Sequence, residues 1–476
     1  MKHRILAYFL CVTAGMMGVA HGYTASGQTY ATDGSQRDVA SAIGAARSGS
    51  TIVIPSGSFS WSSGVTIRKS LTLQGAGVGS TKISSQMTSG NMISATAGKD
   101  GHIVISGINF VQVGNNGGGK GFTLACDRDD SGGKTVMVHD CTFDGSGVYA
   151  YTVLCQANGI LFWNDRFIGN GVNGLGGISM VCQKYGPGTR IGRGAWNTAS
   201  TMGMDDKDGL NNTYVEDCTL SNGPTAMINA DDNSRVVIRH CTVIDSGLHA
   251  HGQDTSIYGV RHYEIYNNTF KNQNAGNLNL NSWSYIRGGV FVFANNVIDA
   301  PPYNKPTLIL ITQSANRADA IPCQTAYPAA RQVGQGWSAT SNAAFGNPAV
   351  VSNGKGAILD PCYVWGNTGP GGDSFGSEVA VQTYSPDDCG NGMVGSTFIR
   401  KGRDYYIGTA KPGWTPYTYP HPLRTAGGEL NRRRRPQPHR QPPDGTARGS
   451  GGSLNVFDHK NPAAGGAFVS NTTGRS

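Results

Sequence analysis

The chain is poor in charge: only 14% of its 476 residues are Asp, Glu, Lys or Arg. Nucleic-acid binding rests on basic groups that neutralise phosphates. The formal net charge of +8 does not supply them on the body of the chain. Lys2 and Arg4 stand at the N-terminus, and nine Lys/Arg follow Leu423 against Glu429, Asp444 and Asp458. Residues 23–423 are left about neutral, so no nucleic-acid partner is expected. A long hydrophobic run is also missing. Ile5–Ala20 is shorter than the ~20 apolar residues that cross a bilayer comfortably. No Cys-x-x-Cys and no His-Glu-x-x-His occurs, which disfavours zinc. Gly114–Lys120 has the spacing of a phosphate-binding loop, but Gly121 stands where Ser or Thr would hold Mg²⁺. In text this rich in glycine, a flexible loop is the better reading.

What is present in excess is glycine, 69 residues, about twice the usual share. A long, turn-rich, charge-poor chain reads as an extracellular all-β protein. Lys2-His3-Arg4, the apolar run and Ala20-His21-Gly22 have the layout of a signal peptide with cleavage near Gly22. A secreted or periplasmic protein is expected, with no membrane association after cleavage. Cys11 leaves with that segment, and nine of the ten cysteines remain, an odd number. Cys141, Cys218 and Cys241 read as buried thiols. Cys323 and Cys362 flank a long irregular stretch and are the expected disulfide.

One phrase recurs. It reads Val215-Glu-Asp-Cys-Thr-Leu220, Val237-Ile-Arg-His-Cys-Thr-Val243, Glu264-Ile-Tyr-Asn-Asn-Thr-Phe270 and Val292-Phe-Ala-Asn-Asn-Val-Ile298. Val136–Phe143 repeats it upstream, and Ile160–Phe167 carries Asp165 at the polar position. The closing residues Phe143, Phe167, Leu220, Val243, Phe270 and Ile298 are spaced by 24, 53, 23, 27 and 28. The interval of 53 is read as two turns of one period. A period of about 20–30 residues marks a solenoid. β-Branched and aromatic runs bounded by Gly, Asn, Asp and Ser make each run a strand. One coil cannot bury its own apolar face, and stacking does so. The expected fold is all-β, a right-handed parallel β-helix, with Asn268/Asn296 and Cys218/Cys241 as ladders along the axis.

Asp38–Ala46 is amphipathic and reads as a short helix capping the open first coil. The cap spans about residues 23–75, and coils and loops continue to 423. Residues 113–133 and 170–213 are Gly-rich polar loops of the kind that carry function. Asp127, Asp129 and Asp130 in the first of these read as a solvated loop. From Arg424 the text turns basic and Pro/Gly/Ser-rich, so 424–476 reads as a disordered tail.

Gly49, Ile54-Pro55-Ser56-Gly57-Ser58-Phe59, Leu73-Gln74-Gly75-Ala76-Gly77, the ladder coils and Lys411–Leu423 together resemble secreted bacterial β-helix proteins of the pectate-lyase-like superfamily. The resemblance covers most of 24–423. It implies binding and cleavage of polysaccharides by lyases, hydrolases or epimerases, a choice the fold does not make.

The segments after each repeat phrase should share one register on the coil surface. They are Pro224–Asp232, Gly247–Asp254 and Asn281–Gly289, with Met204–Gly209 upstream. For β-elimination from a uronate, a base removes the C5 proton, and a cation neutralises the charge that develops on the carboxylate. His251 and His249 are candidate bases. Arg287 and Lys207 are candidate cations, and Asp232 completes the catalytic set. Trp283, Tyr285 and Asp206 are candidate sugar contacts. Asp231 and Asp205 are candidate Ca²⁺ ligands, with hard oxygen donors. A hydrolase would use Asp205/Asp206 with Asp231/Asp232 as an acid–base pair. The order of these residues resembles polygalacturonase-type β-helix hydrolases, but Ala250 and Gly289 replace a Gly and a Lys of that pattern. A non-catalytic carbohydrate-binding or adhesin solenoid is the third reading. The expected partner is an acidic polysaccharide, and the expected state is a monomer.

Overall fold

A computed structural model describes residues 22–87, 89–113, 122–129, 132–147, 152–171, 180–183, 205–224, 226–231, 234–250, 260–273, 282–299, 308–312, 333–337, 357–369, 379–383 and 399–425. The chain divides into two units, Met1–Glu429 and Leu430–Ser476. Every described residue belongs to the first. Its expected leader and its Arg-rich tail beyond 425 lie outside the described residues.

The described strands form three long sheets of 13, 9 and 10 strands, and in each the neighbours come from successive coils. Apart from the first hairpin of the 13-stranded sheet, the pairings within all three are parallel. This is a parallel β-helix. Its N-terminal end carries helix α1 (Gln36–Ala45), in which Ser35 accepts from the Asp38 amide. Ser, with its short acceptor side chain, suits that capping position. Val39, Ala42 and Ile43 of α1 turn inward and are buried.

The alternation of each short strand fills the interior with columns. On the second, 9-stranded sheet, Phe110, Phe143, Phe167, Leu220, Val243, Phe270 and Ile298 pair one above the next. Phe110–Phe143 and Phe143–Phe167 stack with ring centroids 5.3 and 5.1 Å apart. All are fully buried. Phe167 pairs directly with Leu220. The interval of 53 residues is therefore one coil with a long insertion, not two coils. A period counted along the chain cannot separate those cases, because an insertion adds residues without adding a rung.

The corner between the first and second sheets explains the repeat phrase. Gly107, Asp140, Asn164, Asp217, His240, Asn267, Asn295 and Gly366 occupy it in successive coils, all at φ between 52° and 71°. Left-handed backbone costs ordinary residues about 1–2 kcal/mol, which Gly avoids and Asn and Asp tolerate best. The next residue points inward and forms a ladder: Ile108, Cys141, Asp165, Cys218, Cys241, Asn268, Asn296 and Asn367. Each carbonyl of that series through Asn296 accepts from an amide one coil on, as in Thr269 N–H to Cys241 O at 2.9 Å. The expected Asn and Cys ladders are thus one continuous ladder.

Cys126, Cys155 and Cys182 stack in the same way on the third, 10-stranded sheet, facing inward. All described cysteines are free and buried. Cys362 is among them, with its Sγ directed at the Gly289 carbonyl at 3.6 Å. The expected Cys323–Cys362 disulfide is not supported from its Cys362 side, and Cys323 lies outside the described residues. Cys362 begins a core strand (Cys362–Trp365) instead of flanking a surface loop.

Residues 411–424 cross the outer face of the first, 13-stranded sheet as a strap. Trp414 and Tyr417 join an apolar cluster with Met137, Leu161, Tyr214, Val237, Tyr266 and Val292. Beneath it Arg239 and Glu216 form a fully buried ion pair. Arg239 donates to the carbonyls of Tyr417 (2.6 Å) and Thr418 (2.7 Å) and to the Tyr266 hydroxyl (3.0 Å). Arg424, placed in the disordered tail by composition, donates to Glu216 at 3.0 Å and Asp217 at 2.5 Å. The folded body extends past it.

Candidate active site

The third sheet brings part of the expected set together. Asn229 pairs with His249 and His249 with Tyr285, so the three form one column on its outer side. The next residues, Ala230, Ala250 and Ile286, face the core. Asp231 and Arg287 each follow that inward column by one position, and alternation returns them to the outer side. Successive rungs stand about 4.8 Å apart, so Asn229 to Tyr285 covers about 10 Å. The shared register expected for segments 224–232, 247–254 and 281–289 is present for their described residues. Asn229 was not singled out by sequence. Its signal was its position two residues before Asp231, which in a strand means the same face.

Tyr285 is the centre of this face. The Arg287 Nε–H donates to its phenolic oxygen. The guanidinium carbon stands 4.6 Å from the ring centroid, within cation–π range. His249 meets the same ring edge-on at 5.2 Å. Asn229, Asp231, His249 and Arg287 are 7, 6, 3 and 5% exposed, and Tyr285 is half-buried. Tyr285 is therefore the member of the group with the most open surface.

Burial lowers His249 to a pKa of about 3, with the Ser282 backbone pulling upward and Arg287 repelling the imidazolium. At neutral pH His249 is an uncharged imidazole, not a second cation. A base with so low a pKa accepts protons poorly. The same shift has a consequence for stability. A histidine whose folded pKa is depressed binds fewer protons than in the unfolded chain between the two values. Stability should therefore fall as pH drops from about 6.5 to about 3. Over that window the contribution is on the order of 5 kcal/mol. His102, His240, His262 and His421 are also lowered, chiefly by burial, and act in the same direction. Melting temperatures of the native chain and of His249→Gln should lie closest at pH 7, and the difference should shift in favour of the variant as pH falls to 4. A gap that does not change with pH would contradict the assignment.

Other expected residues stand elsewhere. Asp206 accepts from the Leu210, Asn211 and Asn212 amides (3.1 Å each) and from the Tyr214 hydroxyl at 2.8 Å. Its backbone carbonyl meets His421 Nε2 of the strap at 3.1 Å. It organises a loop by the first sheet instead of contacting a sugar on the third. Asp205 and Lys207 form an exposed ion pair at 2.9 Å on that loop, so the structure does not bring Lys207 to the Arg287 face. Asp205 and Asp231, the expected Ca²⁺ ligands, are likewise not gathered: one is exposed and paired, the other buried. No group of three or more His, Cys, Asp or Glu suited to a metal occurs among the described residues. That donor set, among the described residues, does not fit Ca²⁺. Trp283 is fully buried against Phe270, with centroids 5.3 Å apart. It packs the core and does not offer a sugar platform. The strand begins at Ser284, and the bend before it breaks the alternation that would have placed Trp283 beside Tyr285. His251 and Asp232 lie outside the described residues.

No family model and no curated protein matches the chain. Solved structures similar to it include a Paenibacillus alginate lyase (10% identity, TM-score 0.35, covering 75% of this chain and 99% of that one). The A-module of the Azotobacter vinelandii mannuronan C-5 epimerase is similar at 12% identity and TM-score 0.34, covering 72% and 86% of the two chains. The catalytic domain of a GH87 α-1,3-glucanase, solved with nigerose, is similar at 10% identity and TM-score 0.38, covering 80% and 67%.

Proposed function

We propose that the protein is a secreted polysaccharide lyase that cleaves a uronate-containing glycan by β-elimination. The observation that carries this reading is the Arg287–Tyr285 pair on the outer side of the third sheet, with the half-buried Tyr285 ring against His249. Elimination needs a fixed cation where the uronate carboxylate gains charge, and Arg287 is one. It also needs a group that takes the C5 proton. Tyr285 as a phenolate, the form that a donating guanidinium stabilises, would take the C5 proton and become the neutral phenol. The C4–O bond then breaks, the departing oxygen takes that proton from the phenol, and a C4–C5 double bond remains. His249 and Asn229 supply neutral hydrogen-bonding groups beside the sugar, and His251 and Asp232 are further candidates. A glycosidase needs two carboxylates across the scissile bond. On the coils that carry Asn229, His249 and Tyr285, Asp231 is the one carboxylate of this face among the described residues.

The test is a panel of pectate, alginate, glucuronan and neutral glycans, with ultraviolet absorbance and reducing ends followed together. Absorbance and reducing ends should rise in parallel on an acidic glycan. Reducing ends rising alone would replace elimination by hydrolysis. Binding without either signal would leave a carbohydrate-binding solenoid.

A further inference from the structure

The inward ladder shows how a rung works and where one rung differs. Asn268 accepts from the Cys241 amide at 2.9 Å and donates through Nδ2 to the Ile238 carbonyl at 3.0 Å. Asn296 accepts from the Asn268 amide (3.0 Å) and donates to the Ile265 carbonyl (3.1 Å). Asn367 accepts from the Asn296 amide (3.0 Å) and donates to the Phe293 carbonyl (2.9 Å). In each case the acceptor carbonyl lies three residues before the ladder residue of the preceding coil. Asp165 holds this position further up. Its Oδ1 accepts from the Cys141 amide at 2.7 Å, as an Asn Oδ1 would. Its Oδ2 stands where Asn carries the amide nitrogen. That atom is buried and makes no hydrogen bond as an acceptor. The equivalent carbonyl, three residues before Cys141, is Val138 O.

We infer that Asp165 is a neutral carboxylic acid in the folded protein, its Oδ2–H donating to the Val138 carbonyl as a substitute for an Asn amide, and that this rung is a pH-sensitive element of the solenoid. An ionised carboxylate there would set a negative oxygen against a carbonyl oxygen with no donor between them. The surroundings oppose the charge as well. Cys141 and Cys218 flank Asp165 in the ladder, and burial pushes both thiols up, so both are neutral. Asp140, at the preceding corner, stays ionised through its hydrogen bond to His139, with Asn164 and Arg424 also favouring its charge. It repels a second carboxylate. Burial raises Asp165 well above the usual carboxylate range, Asp140 adds to that, and the backbone at Cys141 and Trp163 pulls the other way.

The sign follows from linkage. An acid whose folded pKa is raised contributes its stability in full below its unfolded value of about 3.9. The contribution is lost as pH rises toward the folded value. An Asp165→Asn chain supplies both rung bonds at every pH. Melting temperatures of the intact chain and of this variant, measured from pH 4 to pH 8, should lie close at pH 4. The gap should widen by several degrees in favour of the variant as pH rises. A gap constant with pH overturns the proposal. So does a variant that fails to fold, because Asn completes the rung. Infrared difference spectra at pH 7, native chain against Asp165→Ser, give a second readout. A protonated-carboxyl stretch lost with Asp165 supports the inference, and a carboxylate stretch lost in its place contradicts it.

Discussion

Replacing Arg239 by Ala should destabilise the protein by about 3–5 kcal/mol, the cost of leaving one partner of a buried ion pair uncompensated. Arg239 is fully buried and reaches Glu216, the Tyr266 hydroxyl and the carbonyls of Tyr417 and Thr418. The Glu216 and Tyr266 side chains that it would leave are fully buried. Glu216 keeps Arg424 and the His421 amide at 3.2 Å, so the strap should loosen instead of leaving the sheet. Each kcal/mol moves the melting temperature of a large domain by about 2 °C or somewhat more. A fall of roughly 5–15 °C is expected, with proteolytic cleavage appearing between 411 and 424. An Arg239→Ala chain that melts within 2 °C or so of the native one would show that the strap is held by its aromatic residues alone.

The second large effect concerns activity. Removing one preorganised group that stabilises transition-state charge costs about 10²–10³-fold in kcat. Arg287→Ala should lose at least that much, because it removes the cation and also the donor that holds the Tyr285 oxygen. Tyr285→Phe keeps the ring against the guanidinium and the edge-on contact with His249 while deleting the oxygen. It should lower kcat by about 10²–10⁴-fold, the usual range for a proton-transfer group, with a much smaller effect on binding. His249→Gln keeps an uncharged hydrogen-bonding side chain. It should leave most of the turnover in place, since burial already holds His249 neutral.

Much of the fold was legible because its cause is local. The repeat phrase encodes a left-handed corner residue followed by an inward ladder residue. Asp140-Cys141, His240-Cys241 and Asn267-Asn268 each satisfy both demands. The common register of Asn229, His249 and Tyr285 followed from the order of the segments after each repeat phrase, although they stand 12, 9 and 18 residues past the corners at Asp217, His240 and Asn267. What was not legible lies where the chain leaves that period. Asp205, Asp206 and Lys207 belong to an insertion, and nothing in an insertion's sequence states which sheet it returns to. Trp283 sits one residue before its strand, at a bend that breaks alternation. Arg424 belongs to the body although a basic run, Arg432–Arg435, follows it in sequence. It is placed by a partner, Glu216, 208 positions away. Asp165 reads as an ordinary ladder residue in sequence, and only its hydrogen-bond geometry sets it apart.

On the proposed function, the Arg287–Tyr285 face carries the chemistry. The most direct measurement is turnover of Arg287→Ala at saturating polyuronate, with glycan binding and melting temperature followed on the same preparation. The expected result is a folded protein that still binds the glycan but forms unsaturated ends at least about 10²-fold more slowly. Turnover equal to that of the native chain would contradict it and place the active site elsewhere on the solenoid.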